Sequence, residues 1–156
     1  MRYDKYPSPL GTLWLYGSGT ALVGVSFRGE FCESAEPAQA GEFDPVRRWL
    51  DAYFRGEPAA PDFALEPEGT DFQKLVWQQL LKIPFGQTRT YGWMAREVAA
   101  LLGKEKMSPQ AVGQAVGRNP IAIIIPCHRI IGAGGELTGY ASGLHRKRWL
   151  LEHEQK

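Results

Sequence analysis

The hydrophobic positions along this chain keep two different rhythms. Residues 11–27, "GTLWLYGSGTALVGVSF", alternate apolar and polar side chains on either side of Gly17-Ser18-Gly19, the period of two strands joined by a tight turn. "EFDPVRRWLDAYFRG" then moves to helical spacing, with Val46, Leu50, Tyr53 and Phe54 on one face. Asp44 suits its N-cap, Pro45 its first position and Gly56 its stop. "GEPAAPDFALEPEGT" holds no period and reads as an extended linker, which sets a boundary near residue 68. A small α/β domain is expected over residues 1–68.

From residue 69 the rhythm is almost entirely helical. Phe72, Leu75, Val76, Gln79 and Leu80 line one face of "TDFQKLVWQQLLKI", with Thr70 or Asp71 as cap. After the turn-rich connector "IPFGQTRTYG", the stretch "TYGWMAREVAALLG" predicts a helix capped by Thr90, with Met94, Val98 and Leu101 inward. "KEKM" is a short turn, and "SPQAVGQAVGRNP" predicts another helix with Ser108 as N-cap and Pro109 at its first position. "IAIII" reads as a short buried strand, "GAGGELTGYASG" as a glycine-rich loop and "LHRKRWLLEHE" as a closing helix. Two short helices across a tight turn, followed by a strand, suggest a winged helix-turn-helix over residues 69–156.

Length and composition fit this picture without adding to it. A chain of 156 residues, 44% hydrophobic and 22% charged, can bury a core without disulfide staples. Two cysteines, Cys32 and Cys127, are too few for a disulfide framework or a four-cysteine zinc site. A reduced, cytoplasmic protein is expected. No apolar run approaches a membrane span, and "MRYDKYPSPLG" has no apolar region of a signal peptide.

The net charge of +1 does not announce a nucleic-acid binder, so a basic footprint has to be local. The acids concentrate in the first 71 residues. Arg89, Arg96, Lys104, Lys106, Arg118 and Arg129, and the run His145-Arg146-Lys147-Arg148, leave the C-terminal half basic. Such asymmetry fits a phosphate-facing surface; a solvated helix face is the plainer account of the terminal run.

"AIIIPCHRII" carries the candidate chemistry. A thiolate is a strong nucleophile and a thiol a weak one, so Cys127 needs a partner to lose its proton near neutrality. His128 is adjacent, but neighbouring side chains of an extended segment point to opposite sides. A turn at Pro126 or a bridging water would let the pair cooperate. A carboxylate is needed to hold the histidine tautomer, and Glu136, Glu152 and Glu154 are candidates. A buried, inert thiol is the competing account of Cys127, and it is the one adopted for Cys32.

"VGRNP" before "IPCHRII", "TGYASGLHRKRWLLEHE" behind it and "FQKLVWQQLLKIPFGQTRTYGWMA" upstream resemble the O6-alkylguanine-DNA alkyltransferases. The resemblance is close over residues 70–154 and looser through "SPLGTLWL" and "FDPVRRWLDAYFRGE". It implies an α/β domain resembling ribonuclease H followed by a mostly α winged helix-turn-helix domain. It also implies minor-groove binding of double-stranded DNA containing alkylated bases, flipping of the damaged guanine and transfer of its alkyl group to a cysteine. By resemblance, Cys127 is the alkyl acceptor, His128 takes its proton through a water, and Glu154 orients His128. Asn119 braces the turn, and Tyr91 crowds the flipped nucleotide and hydrogen-bonds the guanine. Val116, Pro126, Tyr140, Ala141 and Ser142 line the base pocket. Thr90, Tyr91, Ala111, Gly113, Gln114 and Arg118 face DNA. Gln110 stands where the family usually carries an arginine that fills the space of the flipped base. No metal, cofactor or obligate protein partner is implied, and a monomer is expected to react once. A non-catalytic damage sensor is the alternative that Gln110 keeps open. A winged-helix regulator gives no reason for Cys127-His128, and a cysteine hydrolase would want its base at hydrogen-bond distance.

Overall fold

The computed structural model describes residues 1–18, 20–29 and 33–156, so Gly19 of the expected hairpin turn and Cys32 lie outside the described residues. The chain divides into one unit of residues 1–68 with 120–122, and a second of residues 69–119 with 123–156.

In the first unit, β1 (Arg2–Ser8), β2 (Gly11–Gly17) and β3 (Ala21–Ser26) form an antiparallel meander, with Tyr6 opposite Leu13 and Leu15 opposite Val25. The two-residue strands β4 (Glu36–Pro37) and β5 (Ala64–Leu65) add parallel pairs, giving the order β4-β1-β2-β3-β5. The periodicity did not reveal β1, because Tyr6 is its one buried residue and Arg2, Asp4 and Ser8 share that side. Arg2 pairs with Glu42 at 3.3 Å and Asp4 with Arg47 at 3.3 Å. α1 (Asp44–Phe54) buries Val46, Leu50 and Tyr53, and Leu13, Leu15 and Val25 of the sheet are buried with them. Each such side chain contributes about 1.5–3 kcal/mol by leaving water.

Asp44 is not the cap of α1. Phe43 takes the N-cap position with no side-chain cap bond, and Asp44 and Pro45 are the first two helical residues. Phe43 is buried, which pins the chain one residue earlier, and Asp44 serves the helix dipole from inside the first turn.

"IAIII" is not a strand either. Pro120 O accepts from Val25 N at 2.9 Å and Ala122 N donates to Val25 O at 2.9 Å, so a single bridge at Ile121 extends the first unit's sheet. A turn follows at once, with Ile123 at φ 71°. A β-branched residue in the left-handed region is strained, and full burial of Ile123 is what holds it there.

The second unit is mostly helical. Thr70 and Gln73 close a capping box on α2 (Asp71–Leu80). Thr90 accepts from Trp93 N at 3.0 Å at the head of α3 (Tyr91–Leu101). Ser108 accepts from Ala111 N at 3.2 Å at the head of α4 (Pro109–Gly117). α3 and α4 are the helix pair expected across the "KEKM" turn. Two-residue strands β6 (Arg89–Thr90) and β7 (Ile130–Ile131) pair in parallel, and α5 (Leu144–Glu154) closes the chain. Trp77 is fully buried and ties α2 to α4 through Nε1–H to Ala115 O at 2.8 Å. Phe72 and Leu75, read as core, are only half-buried. Leu101 is not inward: it is 54% exposed, because α3 outruns its partners there, and Ala95 and Ala99 fill the inner face beside Met94 and Val98. No helix among the described residues is long and apolar enough to cross a membrane.

Candidate active site

Pro126 is the pivot of the site. At φ −82°, ψ 63° it centres an inverse γ-turn, in which Cys127 N donates to Ile125 O at 2.8 Å. A 3-10 turn, Cys127–Arg129, follows directly. The segment is therefore not extended at Cys127, and the rule that adjacent side chains diverge does not apply to it. Asn119 Nδ2 donates to the same Ile125 O at 2.8 Å, and the Asn119 amide also bonds the Cys127 thiol. One side chain thus braces the turn and faces the thiol.

Cys127 is a free, half-buried thiol. Burial pushes its pKa above the ordinary 9.0; the Asn119 hydrogen bond and the charge of Lys147 oppose the rise. His128 is fully buried, and its Nε2 lies 2.6 Å from Glu154 Oε2. Of the three candidate carboxylates, Glu154 makes this contact, while Glu136 and Glu152 are exposed. Burial lowers the His128 pKa despite Glu154, so the ring is neutral at pH 7. A neutral ring bonded to a carboxylate through Nε2 carries its proton there. Nδ1 is then the lone-pair nitrogen, and it has no partner among the described residues.

Glu154 is held on all sides. Arg129 grips it with Nε to Oε1 at 2.8 Å and Nη2 to Oε2 at 3.1 Å, and Gly86 N donates to Oε1 at 3.2 Å. Burial alone would raise its pKa, but the hydrogen bonds and charges of His128 and Arg129 hold it well below the ordinary 4.5. Arg129 Nη1 also donates to Ile83 O at 2.7 Å, so Arg129 is a structural residue of the site.

Lys147 belongs to the interior and not to a solvated basic run. It is 1% exposed, and its Nζ donates to Ile130 O at 2.6 Å and Thr138 O at 2.8 Å. Burial lowers its pKa to about 8, which a thiolate at Cys127 would raise again. Tyr91 OH donates to the same Thr138 O at 3.1 Å. The signal for Lys147 was present in the sequence. Lys147, Leu150 and Glu154 stand three and four residues apart, one face of a helix, and all three are buried. Tyr140 is buried, its hydroxyl has no partner among the described residues, and its pKa is well above 10.0, through burial and then the neighbouring Cys127 charge.

The remaining positions divide between helix and loop. On α4, Gln110 and Gln114 are exposed, Ala111 and Gly113 half-buried and Val116 buried; Arg118 is the exposed C-cap. A Cβ on Gly113 would stand 3.5 Å from the Tyr91 ring, so α4 packs closely on that tyrosine. Thr90 is committed to capping α3. Pro126 is buried, Ala141 exposed and Ser142 half-buried, its carbonyl accepting from Arg146 Nη1 at 2.8 Å. No group of three or more potential metal ligands occurs among the described residues.

Comparison with known proteins gives the family. Residues 1–67 match the model of the 6-O-methylguanine DNA methyltransferase ribonuclease-like domain, and residues 71–156 that of the same family's DNA binding domain. The chain is 47% identical to a methylated-DNA–protein-cysteine methyltransferase of Methanosarcina barkeri, over 99% of this chain and 98% of the relative. It resembles the crystal structure of Mycobacterium tuberculosis OGT in complex with DNA, with a TM-score of 0.89, 44% identity, and coverage of 99% of this chain and 93% of the other. The Pyrococcus kodakaraensis O6-methylguanine-DNA methyltransferase aligns at TM-score 0.70 and 25% identity, over 99% of both chains. With the two family models falling on the sheet unit and the helical unit in turn, the chain belongs to the 6-O-methylguanine DNA methyltransferase family.

Proposed function

We propose that this protein repairs double-stranded DNA directly, by moving the alkyl group of an O6-alkylguanine onto Cys127. The observation that carries the reading is the state of His128. Its Nε2 is fixed on Glu154, its Nδ1 is unpartnered, and it directly follows the thiol it would serve. Through one water, Nδ1 takes the thiol proton. The Cys127 sulfur attacks the alkyl carbon, the carbon–O6 bond breaks, and its electron pair leaves on guanine, which then takes up a proton. Tyr91 would supply that hydrogen bond by turning its O–H from Thr138 O to the base. Flipping the base out of the stack costs a few kcal/mol, less for a weakened pair. The thioether formed has no group for water to displace, so each chain reacts once, without a cofactor.

A monomer is the working unit in this reading. A nucleophilic thiol also suits a reducing compartment such as the cytoplasm. The test is intact-protein mass after incubation with duplex DNA containing O6-methylguanine. One methyl on the Cys127 peptide, absent from Cys127→Ala, is the expected result. Lesion-selective binding without methylation would favour a sensor, and turnover beyond one equivalent would rule out a single-use protein.

A further inference from the structure

Three cations beside the helix-turn-helix have no role in the chemistry above. Arg96 on α3 and Lys104 and Lys106 on the turn before α4 rim a concavity of about 390 Å³, opposed by one acid, Glu105. All three are exposed, and none makes an ion pair or hydrogen bond among the described residues. Arg55, equally exposed, is in contrast paired to Glu57, and half-buried Arg47 to Asp4. The floor beneath the three cations is apolar, with Ala99 and Met107 in it. Arg96 reaches back along α3: a Cβ on Gly92 would stand 3.5 Å from its Nη1 and 3.8 Å from Thr90 Oγ1. The guanidinium therefore lies over the first turn of the helix that begins with Tyr91.

We propose that Arg96, Lys104 and Lys106 form an accessory grip on the phosphate backbone of the same duplex that α4 engages. The proposal rests on the DNA-repair reading and adds a second contact surface to it. Cations on the rim and an apolar floor suit a nucleic-acid strand better than a small anion. A free phosphate needs donors converging on one point, and the floor offers none. A strand presents phosphates in series to the rim and the apolar face of its sugars to the floor. The grip also bears on Gln110. An uncharged residue at that position adds no phosphate attraction, whereas three cations on the neighbouring elements supply it without reading sequence.

The test is the salt dependence of binding to an undamaged duplex. Each phosphate neutralised contributes about 0.9 to the slope of log affinity against log salt. Arg96→Gln, Lys104→Gln and Lys106→Gln are each expected to lower the slope by about that amount, and the triple variant to weaken binding roughly tenfold or more at physiological salt. Arg48→Gln, an exposed cation on α1, controls for net charge and should leave the slope in place. An unchanged slope in the triple variant overturns the grip. So does a loss of alkyl transfer from the free base O6-alkylguanine, which has no phosphate, equal to the loss on duplex. Tighter binding of inorganic phosphate than of duplex at these residues would overturn it in favour of a small-anion site. Failure of the parent protein to bind duplex at all would instead overturn the DNA-repair reading itself.

Discussion

The two units treat charge in opposite ways. In the first, two of the three ion pairs among the described residues lie at the surface: the side chains of Arg55 and Glu57 remain 59% and 66% exposed, and Arg47 and Asp4 about a third, while Glu42 opposite Arg2 is 12% exposed. Behind them the layer of Leu13, Leu15 and Leu50 is dry. In the second unit, charge is inside: His128 and Glu154 are 0% and 1% exposed, with Arg129 on the same carboxylate. Exposed pairs contribute about 0–1 kcal/mol, whereas each member of a buried network depends on the bonds of the others. The first unit holds no residue of the site described above. The second accepts desolvation of an acid, an imidazole and a lysine because a tuned thiol requires them.

The contrast is exposed to direct measurement. Glu154→Ala should give the largest effect. It leaves Arg129 buried without a counter-charge, a loss of about 3–5 kcal/mol in chemical unfolding. It also frees the His128 tautomer, so alkyl transfer should fall by about 100-fold or more. Retention of both stability and rate would mean that the network is ornamental. Gln110→Arg should act next, on the exposed face of α4. A guanidinium able to stack in the opened duplex would strengthen the repair complex by about 1–3 kcal/mol. Repair of methylated duplex no faster than the parent would show that Gln110 already suffices.

Acidity gives the third comparison. The His128 pKa is below 6.5 in the fold, so the unfolded chain binds the extra proton first, and stability should begin to fall as pH drops through 6.5. Glu154, held below 4.5, contributes stability that is present above 4.5 and lost as pH falls further. Alkyl transfer through the relay needs a neutral His128 and a protonated Cys127, so its rate should stay level between pH 7 and 9 and fall as pH drops below 6.5. A rate that climbs steadily from pH 7 to 9 would mean attack by a thiolate formed beforehand and would contradict the proton relay. The smallest effect is expected from Glu57→Ala in the first unit. It should change stability by less than about 1 kcal/mol, and a larger change would erase the distinction between the units.

Legibility in the sequence followed the same division. Helices with a hydroxyl cap were readable, because Thr70, Thr90 and Ser108 each satisfy a backbone N–H that only a helix start leaves open. β1 was hidden because the partners of its Arg2 and Asp4 are charges 40 and 43 residues away. "IAIII" was misread because a buried turn and a buried strand have the same composition, and periodicity over five residues cannot part them. At the site, Cys127 and His128 stand out as residue types. The choice of Glu154 over Glu136 and Glu152, the dual grip of Asn119 and the interior place of Lys147 depend on where α5 docks. Spacing on α5 contained part of that information, but a basic run at the surface gives the same letters.

The bridge at Ile121 bears on how this protein can be cut. The first unit holds residues 120–122 beside β3, so no continuous piece of chain contains all of it without much of the second. A fragment ending at residue 68 leaves the N–H and C=O of Val25 without the backbone that satisfies them here. A fragment beginning at residue 69 carries Ile121 as an orphaned apolar side chain, a few residues ahead of its nucleophile. Mixed in solution, the two pieces each hold what the other lacks, and their reassociation would be a binding event where the intact chain has a fold.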